Sequence, residues 1–319
     1  MDSLLLRILL FFGLLAAVPR AFAETPANVL GPGLAPAGIA QCLFDLPRVA
    51  RTLQLRVKNP GAWLTWESHQ QDVIWKARDV GRTEEADRLE DQLAAAMELE
   101  PIVKNSAMTE SQGKGANNAR LIRFKSGITA LAKPALNSQT PQAEVGSYRL
   151  SRLWGFDFVP VTVFRKLSGK LYSLQYFIKG GRRPKNSSWN GAALNNLHFF
   201  GWLNQNTDRN TDNILEVSGR IVAIDNGETL PSKRQWRRVE LTPELLVDML
   251  STPDTFRKFI QVSPAQIRAT LDGVVDEAAI DQVLVQRERF IRAIAEYQAR
   301  GQLLQYSPDL VSREVNIGR

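Results

Sequence analysis

The apolar positions of this chain change period several times, and each change marks an element. Ile8 to Val18 is almost uninterrupted hydrophobic sequence behind Arg7, and it runs into Ala21-Phe22-Ala23. A basic residue, a short apolar core and a small-x-small site form the layout of a secretory signal peptide, with cleavage expected after Ala23. The run falls short of the roughly 20 residues a membrane-spanning helix needs. No later segment is long and apolar enough to replace it. A Pro/Gly/Ala-rich linker over 24–37 follows. From 38 to 105 the texture is helical, most clearly in Glu84 to Glu98, where Leu89, Leu93 and Met97 share one face with charges opposite.

Beyond 105 the apolar runs shorten. Arg120 to Phe124 and Ile128 to Ala132 read as a hairpin about Gly127, the second strand closing in Lys133-Pro134. Glu144 to Trp154 is helical by the spacing of Leu150, Leu153 and Trp154. Val159 to Phe164 and Leu171 to Ile178 read as strands. Ala192 to Leu203 is a second helix, with Ala193, Leu197 and Phe200 on one face. Asn213 to Val217 and Arg220 to Ile224 are short strands about a Ser218-Gly219 turn. Residues 241–304 are largely helical, opening at Leu241-Thr242-Pro243-Glu244, and 305–319 form a tail. The fold class is therefore α+β: a small β-rich lobe with one helix over 106–178, a mainly helical lobe over 179–304, and a helical segment before both.

Composition narrows the setting. The 319 residues are 44% hydrophobic and 23% charged, ordinary globular values. The net charge is +7, and removal of the signal leaves 38 − 32 = +6 by formal count. A basic balance suits an acidic or phosphate-bearing ligand, and equally a merely soluble surface. Cys42 is the one cysteine, so an intrachain disulfide is impossible, and its apolar surroundings make it a packing residue. A secreted chain without disulfides fits a bacterial periplasmic or extracellular setting better than an animal one. His69 and His198 are the only histidines and lie far apart in sequence, so with one cysteine a zinc cluster is not credible, and no Gly-x-Ser-x-Gly elbow supports a serine hydrolase.

The densest polar chemistry is Asn206-Thr207-Asp208-Arg209-Asn210-Thr211-Asp212-Asn213, followed by Asp225-Asn226-Gly227. In protein kinases the Asp that orients the acceptor hydroxyl lies five residues before a metal-binding Asn. Asp208 and Asn213 have that separation. A two-residue turn at Ser218-Gly219 pairs Val217 with Arg220, which sets Asn213 opposite Ile224 and next to Asp225. The hairpin thus brings an amide and a carboxylate to its open end, oxygen donors suited to Mg²⁺ or Mn²⁺ beside phosphate. Either motif alone is common in plain turns; their order and the intervening hairpin favour a site.

Upstream, Lys133 closes a strand and Glu144 opens the next helix, the arrangement of a phosphate-positioning ion pair. A solvated lysine and a glutamate placed by the helix dipole would read the same, and Lys125 is a rival near a turn. The polar loop carrying Gly113 and Gly115 is placed to cover ATP phosphates through backbone N–H groups. Phe177 and Ile178 fall where backbone would meet adenine between the lobes. His198, in an aromatic helix, reads as core or site lining. The basic runs Lys179 to Lys185 and Lys233 to Arg238 are either solvated or an attraction for an acidic substrate.

Thr207 to Leu215 resembles the catalytic loop of phosphatidylinositol 3- and 4-kinases, Asp-Arg-His-x-x-Asn. Ala130-Leu131-Ala132-Lys133-Pro134, Ala143-Glu144 through Tyr148 to Phe156, and Val159-Pro160 are similar to the secretory-pathway kinases of the four-jointed and Golgi casein kinase family. Asp225-Asn226-Gly227 in place of Asp-Phe-Gly fits that family too. The resemblance covers about 107–300. It implies a two-lobed protein-kinase-like fold using ATP and Mg²⁺ or Mn²⁺. It also implies Lys133 on the phosphates, Glu144 anchoring that lysine or assisting the metal, Asp208 as catalytic Asp, and Asn213 and Asp225 as metal ligands. Asn210 stands where the family has His, and the family's cysteines are missing. The acceptor implied is a hydroxyl on protein Ser/Thr, glycan or lipid. The alternatives are an inactive nucleotide-binding module and, behind it, a basic surface for nucleic acid or anionic lipid.

Overall fold

The computed structural model describes residues 70–108, 118–135, 140–183, 191–231, 241–242, 246 and 253–302. The segment expected to be a signal peptide, the expected linker, Cys42, His69, the loop with Gly113 and Gly115, the run Lys233 to Arg238 and residues 303–319 lie outside them. Among the described residues no helix is long and apolar enough to cross a membrane.

Two helices come first, α1 (Gln70–Asp79) and α2 (Thr83–Leu99). Strands β1 (Ile102–Ala107), β2 (Arg120–Phe124) and β3 (Thr129–Pro134) precede helix α3 (Thr140–Leu153). Strands β4 (Thr162–Leu167) and β5 (Lys170–Tyr176) complete an antiparallel sheet of order β1-β2-β3-β5-β4. Helix α4 (Gly191–Leu203) leads to a 3₁₀ turn at Thr211–Asn213 and the hairpin β6 (Ile214–Val217) and β7 (Arg220–Ala223). Helices α5 (Pro253–Gln261), α6 (Pro264–Leu271) and α7 (Glu277–Ala299) follow. A sheet with one helix, then a mainly helical part, is the α+β order the sequence predicts.

Three boundaries differ for identifiable reasons. Helix α3 starts at Thr140, a turn before Glu144, because Pro141 is tolerated in a first helical turn where its missing N–H has no partner to lose. Strand β4 starts at Thr162, past Pro160, which lacks a ladder donor. Residues 102–107, the first of which read as the end of the helical stretch, are the edge strand of the sheet.

Burial alternates along the sheet, as a period of two requires. Ile122 and Phe124 on β2 and Ala130 and Ala132 on β3 are buried, whereas Lys133 falls in the half-exposed phase with Thr129 and Leu131. Helix α3 closes against the segment after β7 because Gly146 has no side chain there. A Cβ on Gly146 would lie 2.5 Å from Leu230 Cδ1, and one on Gly227 would lie 2.9 Å from Thr140 Cγ2. This close approach lets Glu144 and Asp225 reach the same ammonium, Lys133 Nζ.

The helical part packs on aromatic rings. Phe199 lies 4.5 Å from Phe290 and 5.1 Å from Phe259 between ring centroids, and Trp154, Phe156 and Phe200 extend the group. Helix α4 was read as amphipathic, but Leu197 and Phe199 to Leu203 are buried almost all round its C-terminal half. A helix held this firmly gives the polar loop after it a fixed origin.

Candidate functional site

The chain leaves α4 through a turn fixed by Asn206 N–H donating to the Gly201 carbonyl at 2.8 Å. Asn206 Oδ1 then accepts from the Asp208 N–H at 2.9 Å, an Asx turn that sets the direction of Asp208. Asn210 caps the 3₁₀ turn by accepting from the Asp212 N–H. Its side-chain amide donates to Asp208 Oδ1 at 2.9 Å. Asn213 Nδ2 donates to Asp208 Oδ2 at 3.0 Å and to the Asp208 carbonyl at 2.8 Å. Asp208 and Asn213 are therefore brought together, and the Asn213 amide keeps Oδ1 as the oxygen left for another partner.

The hairpin register is the expected one. Val217 pairs with Arg220 and Ile214 with Ala223. The Ile224 N–H donates to the Asn213 carbonyl at 3.0 Å. Ser218 and Gly219 both have positive φ, 51° and 76°, the backbone of a type I′ turn whose twist suits antiparallel strands. Asp225 follows directly, itself at φ 55°.

Lys133 joins the two halves of the site. Its Nζ lies 2.5 Å from Glu144 Oε1 and 2.9 Å from Asp225 Oδ1. Burial alone would lower the lysine pKa, but Glu144 and Asp225 outweigh it and hold the ammonium above its ordinary value. Glu144 is 1% exposed, and its second oxygen is buried without a hydrogen-bond partner among the described residues. Lys125 sits in the β2–β3 turn, away from this pair, with its N–H donating to the Pro101 carbonyl.

Phe177 and Ile178 follow β5 and precede the helical part. The Phe177 N–H donates to the Thr129 carbonyl at 2.9 Å and so extends the sheet. His198 is on the exposed side of α4, and partial desolvation of its ring together with the nearby Arg209 cation lowers its pKa. The basic segment after β5 is tied to the hairpin: Arg182 and Glu216 exchange backbone hydrogen bonds, and Arg183 lies 2.9 Å from Asp212. Among the described residues no group of three or more His, Cys, Asp or Glu could hold a metal ion.

Sequence reasoning passed over Arg209. Its guanidinium donates to the carbonyls of Asn213 and Ile224, both at 2.8 Å, and to Asn226 Oδ1. Burial pulls its pKa down to about 10, against the carboxylates of Glu144, Asp225 and Asp208, so it remains a cation at neutral pH. Two of its partners are backbone carbonyls, which no residue type marks in a sequence. Also missed was a buried polar relay behind Glu144, in which Ser147 Oγ meets Thr229 Oγ1 at 2.7 Å and Thr229 Oγ1 donates to the Asn226 carbonyl at 2.7 Å.

No protein-family model matches the chain, and no curated protein matches it in sequence. Solved structures do. A crystal structure of the Golgi casein kinase aligns over 70% of this chain and 78% of its own, at 14% identity and a TM-score of 0.49. Hydra Fam20 with sugar aligns over 67% and 90%, at 13% identity and a TM-score of 0.48. The proinflammatory kinase CtkA from Helicobacter pylori aligns over 69% and 98%, at 10% identity and a TM-score of 0.41.

Proposed function

We propose that this chain is a secreted or periplasmic phosphotransferase that moves the γ-phosphoryl group of ATP to a hydroxyl, with protein Ser/Thr favoured over glycan or lipid. The observation that carries this reading is one ammonium, Lys133 Nζ, held between a helix carboxylate, Glu144, and a carboxylate at the mouth of the hairpin, Asp225. Kinases use a strand lysine paired with a helix glutamate to fix the nucleotide phosphates beside an acidic metal ligand. The Arg7 to Ala23 pattern supports export.

The roles follow from donor chemistry. Lys133 positions the phosphates as a point charge. Asp208 orients the acceptor hydroxyl, its own direction fixed by the amides of Asn210 and Asn213. Asn213 Oδ1 and the Asp225 carboxylate are hard oxygen donors on adjoining hairpin ends, and they suit Mg²⁺ or Mn²⁺ completed by phosphate oxygens and water. The second Glu144 oxygen, buried without a hydrogen-bond partner among the described residues on a carboxylate that meets Lys133, fits a role beside that cation. When bound, the cation offsets charge on the phosphoryl oxygens. Phe177 spends its N–H on the sheet, which leaves its carbonyl and the Ile178 backbone for adenine. Gly113 and Gly115 would cover the phosphates. The Lys179 to Arg183 segment beside Asp212 suits an acidic acceptor.

The test is phosphotransfer from ATP with Mg²⁺ or Mn²⁺, comparing the wild-type protein with Asp208→Ala and Asp225→Ala. Losses of about 10²-fold or more in either variant are expected from removing a positioning or charge-stabilising group. Wild-type activity untouched by both substitutions would exclude the site. Metal-dependent ATP binding without transfer would instead make the chain a nucleotide-binding module.

A further inference from the structure

Asp225 occupies a backbone region that a residue with a side chain rarely adopts. Its φ of 55° is left-handed, a region that Asp and Asn enter more readily than other residues with a side chain but that still costs more than for Gly. Such a conformation persists only when the surroundings fix it. The residues on both sides of Asp225 are held by one group: Arg209 Nη1 takes the Ile224 carbonyl at 2.8 Å, and Nη2 takes Asn226 Oδ1. The same Nη1 takes the Asn213 carbonyl, so the fork spans both strands at the open end of the hairpin. Asn226 is fully buried, which leaves its side chain no water to exchange for the guanidinium.

We propose that Arg209 is a positioning residue that holds Asp225 in its left-handed conformation by gripping the residue on either side, and so aims the carboxylate at Lys133 and the bound cation. The proposal rests on the reading of Asn213 and Asp225 as metal ligands. Arg209 contacts neither the phosphates nor the acceptor in this scheme; it acts through the Asn213 carbonyl and through the residues on either side of Asp225. A guanidinium suits the task because its donors are rigidly spaced, whereas a lysine offers one centre. Its charge lies among Glu144, Asp225 and Asp208, which reduces their mutual repulsion whether or not a cation is present.

The experiment is titration of the full chain with Mn²⁺ in the presence of ADP, beside titration with ADP alone. The variants are Arg209→Lys, Asn226→Ala and Asp225→Ala. Loss of a group that orients a metal ligand typically weakens metal affinity about 10–100-fold. Arg209→Lys is expected to fall in that range although it keeps the charge. Asn226→Ala, which removes one arm of the fork, is expected to lose roughly tenfold at the lower end of the same range. Affinity for ADP alone stays at the wild-type value in both, a separation that general loosening of the fold would not produce. If Arg209→Lys fails to fold, Asn226→Ala decides alone. Wild-type Mn²⁺ affinity in the folded Arg209 and Asn226 variants, with loss in Asp225→Ala, overturns the inference and spares the metal site. Equal Mn²⁺ affinity in Asp225→Ala and wild type overturns the metal site itself.

Discussion

Lys133 is the cation of the proposed site that pairs directly with two carboxylates. Its side chain is only 15% exposed, and it faces one carboxylate that is 1% exposed and another that is half exposed. The two contacts differ in consequence. Asp225 can be solvated when the lysine is removed, but Glu144 cannot, and a buried charge stripped of its partner costs about 3–5 kcal/mol. Lys133→Met should therefore lower unfolding stability by an amount in that range, alongside loss of any phosphotransfer. Adding Glu144→Gln should recover most of the stability and none of the activity, because the amide leaves no unpaired charge. Denaturant unfolding of the two single variants and the double variant measures this coupling. Simple additivity of the single effects would show that the pair does not behave as a buried ion pair.

Helix α3 carries Glu144, and polar side chains tie it to α2 and, through Glu90, to α1. Glu90 accepts from Tyr148 Oη on α3 at 2.9 Å and from Arg78 on α1, while Arg152 on α3 takes Asp91 at 2.9 Å. Arg78 also reaches Asp87 at 2.9 Å and Asp157 at 2.6 Å. Burial raises the Glu90 pKa above its usual 4.5, against the pull of Arg152, Arg78 and the Tyr148 hydroxyl, with Asp157 adding to the rise. A carboxyl that binds its proton more tightly when folded costs stability when ionised, so this cost grows as pH rises above 4.5 and fades as pH falls towards it. Glu90→Gln keeps an acceptor and removes the ionisation. Its stability relative to wild type should rise between pH 4.5 and 7.5, read from denaturant midpoints at the two ends; a flat or falling difference would contradict the sign. The sequence hid this contact for a specific reason. Glu90 lies in phase with the buried Ala86, Leu93 and Met97, yet a pattern that sorts residues by polarity puts every charge on the outer face. The register of hairpin β6–β7, in contrast, was readable, because a two-residue Ser-Gly turn permits one pairing and that pairing sets Asn213 opposite Ile224, next to Asp225, although each strand ends one residue sooner at the open end.

Across the whole molecule, the shift in apolar period near residue 106 marks a change of element and not a break in packing. Ile74, Leu93 and Met97 from α1 and α2 belong to one continuous core with Ile122 and Phe124 of the sheet, Leu150 of α3, and Phe199 and Phe290 of the helical part. Arg165 on β4 donates to the carbonyls of Met97 and Glu100, at 2.9 and 2.7 Å, and so closes the end of α2 against the sheet. At the other end, Trp75 packs with Val217 and Val222 of the hairpin, Arg220 lies over its ring at 5.6 Å, and Arg220 pairs with Asp79. The helical pair thus touches both the element that carries Glu144 and the one that ends in Asp225. Sequence could place these helices before the lobes but could not show which surfaces they cover, since long-range contacts leave no local period. A chain beginning at residue 101 would expose the apolar faces of the sheet and α3, and remove Glu90 from Tyr148 and the Met97 and Glu100 carbonyls from Arg165. It should show no cooperative thermal transition in near-ultraviolet circular dichroism and should bind a hydrophobic dye at temperatures where the full chain does not. A cooperative transition near that of the full chain would mean that the lobes hold Lys133, Glu144 and Asp225 together without the helices behind them.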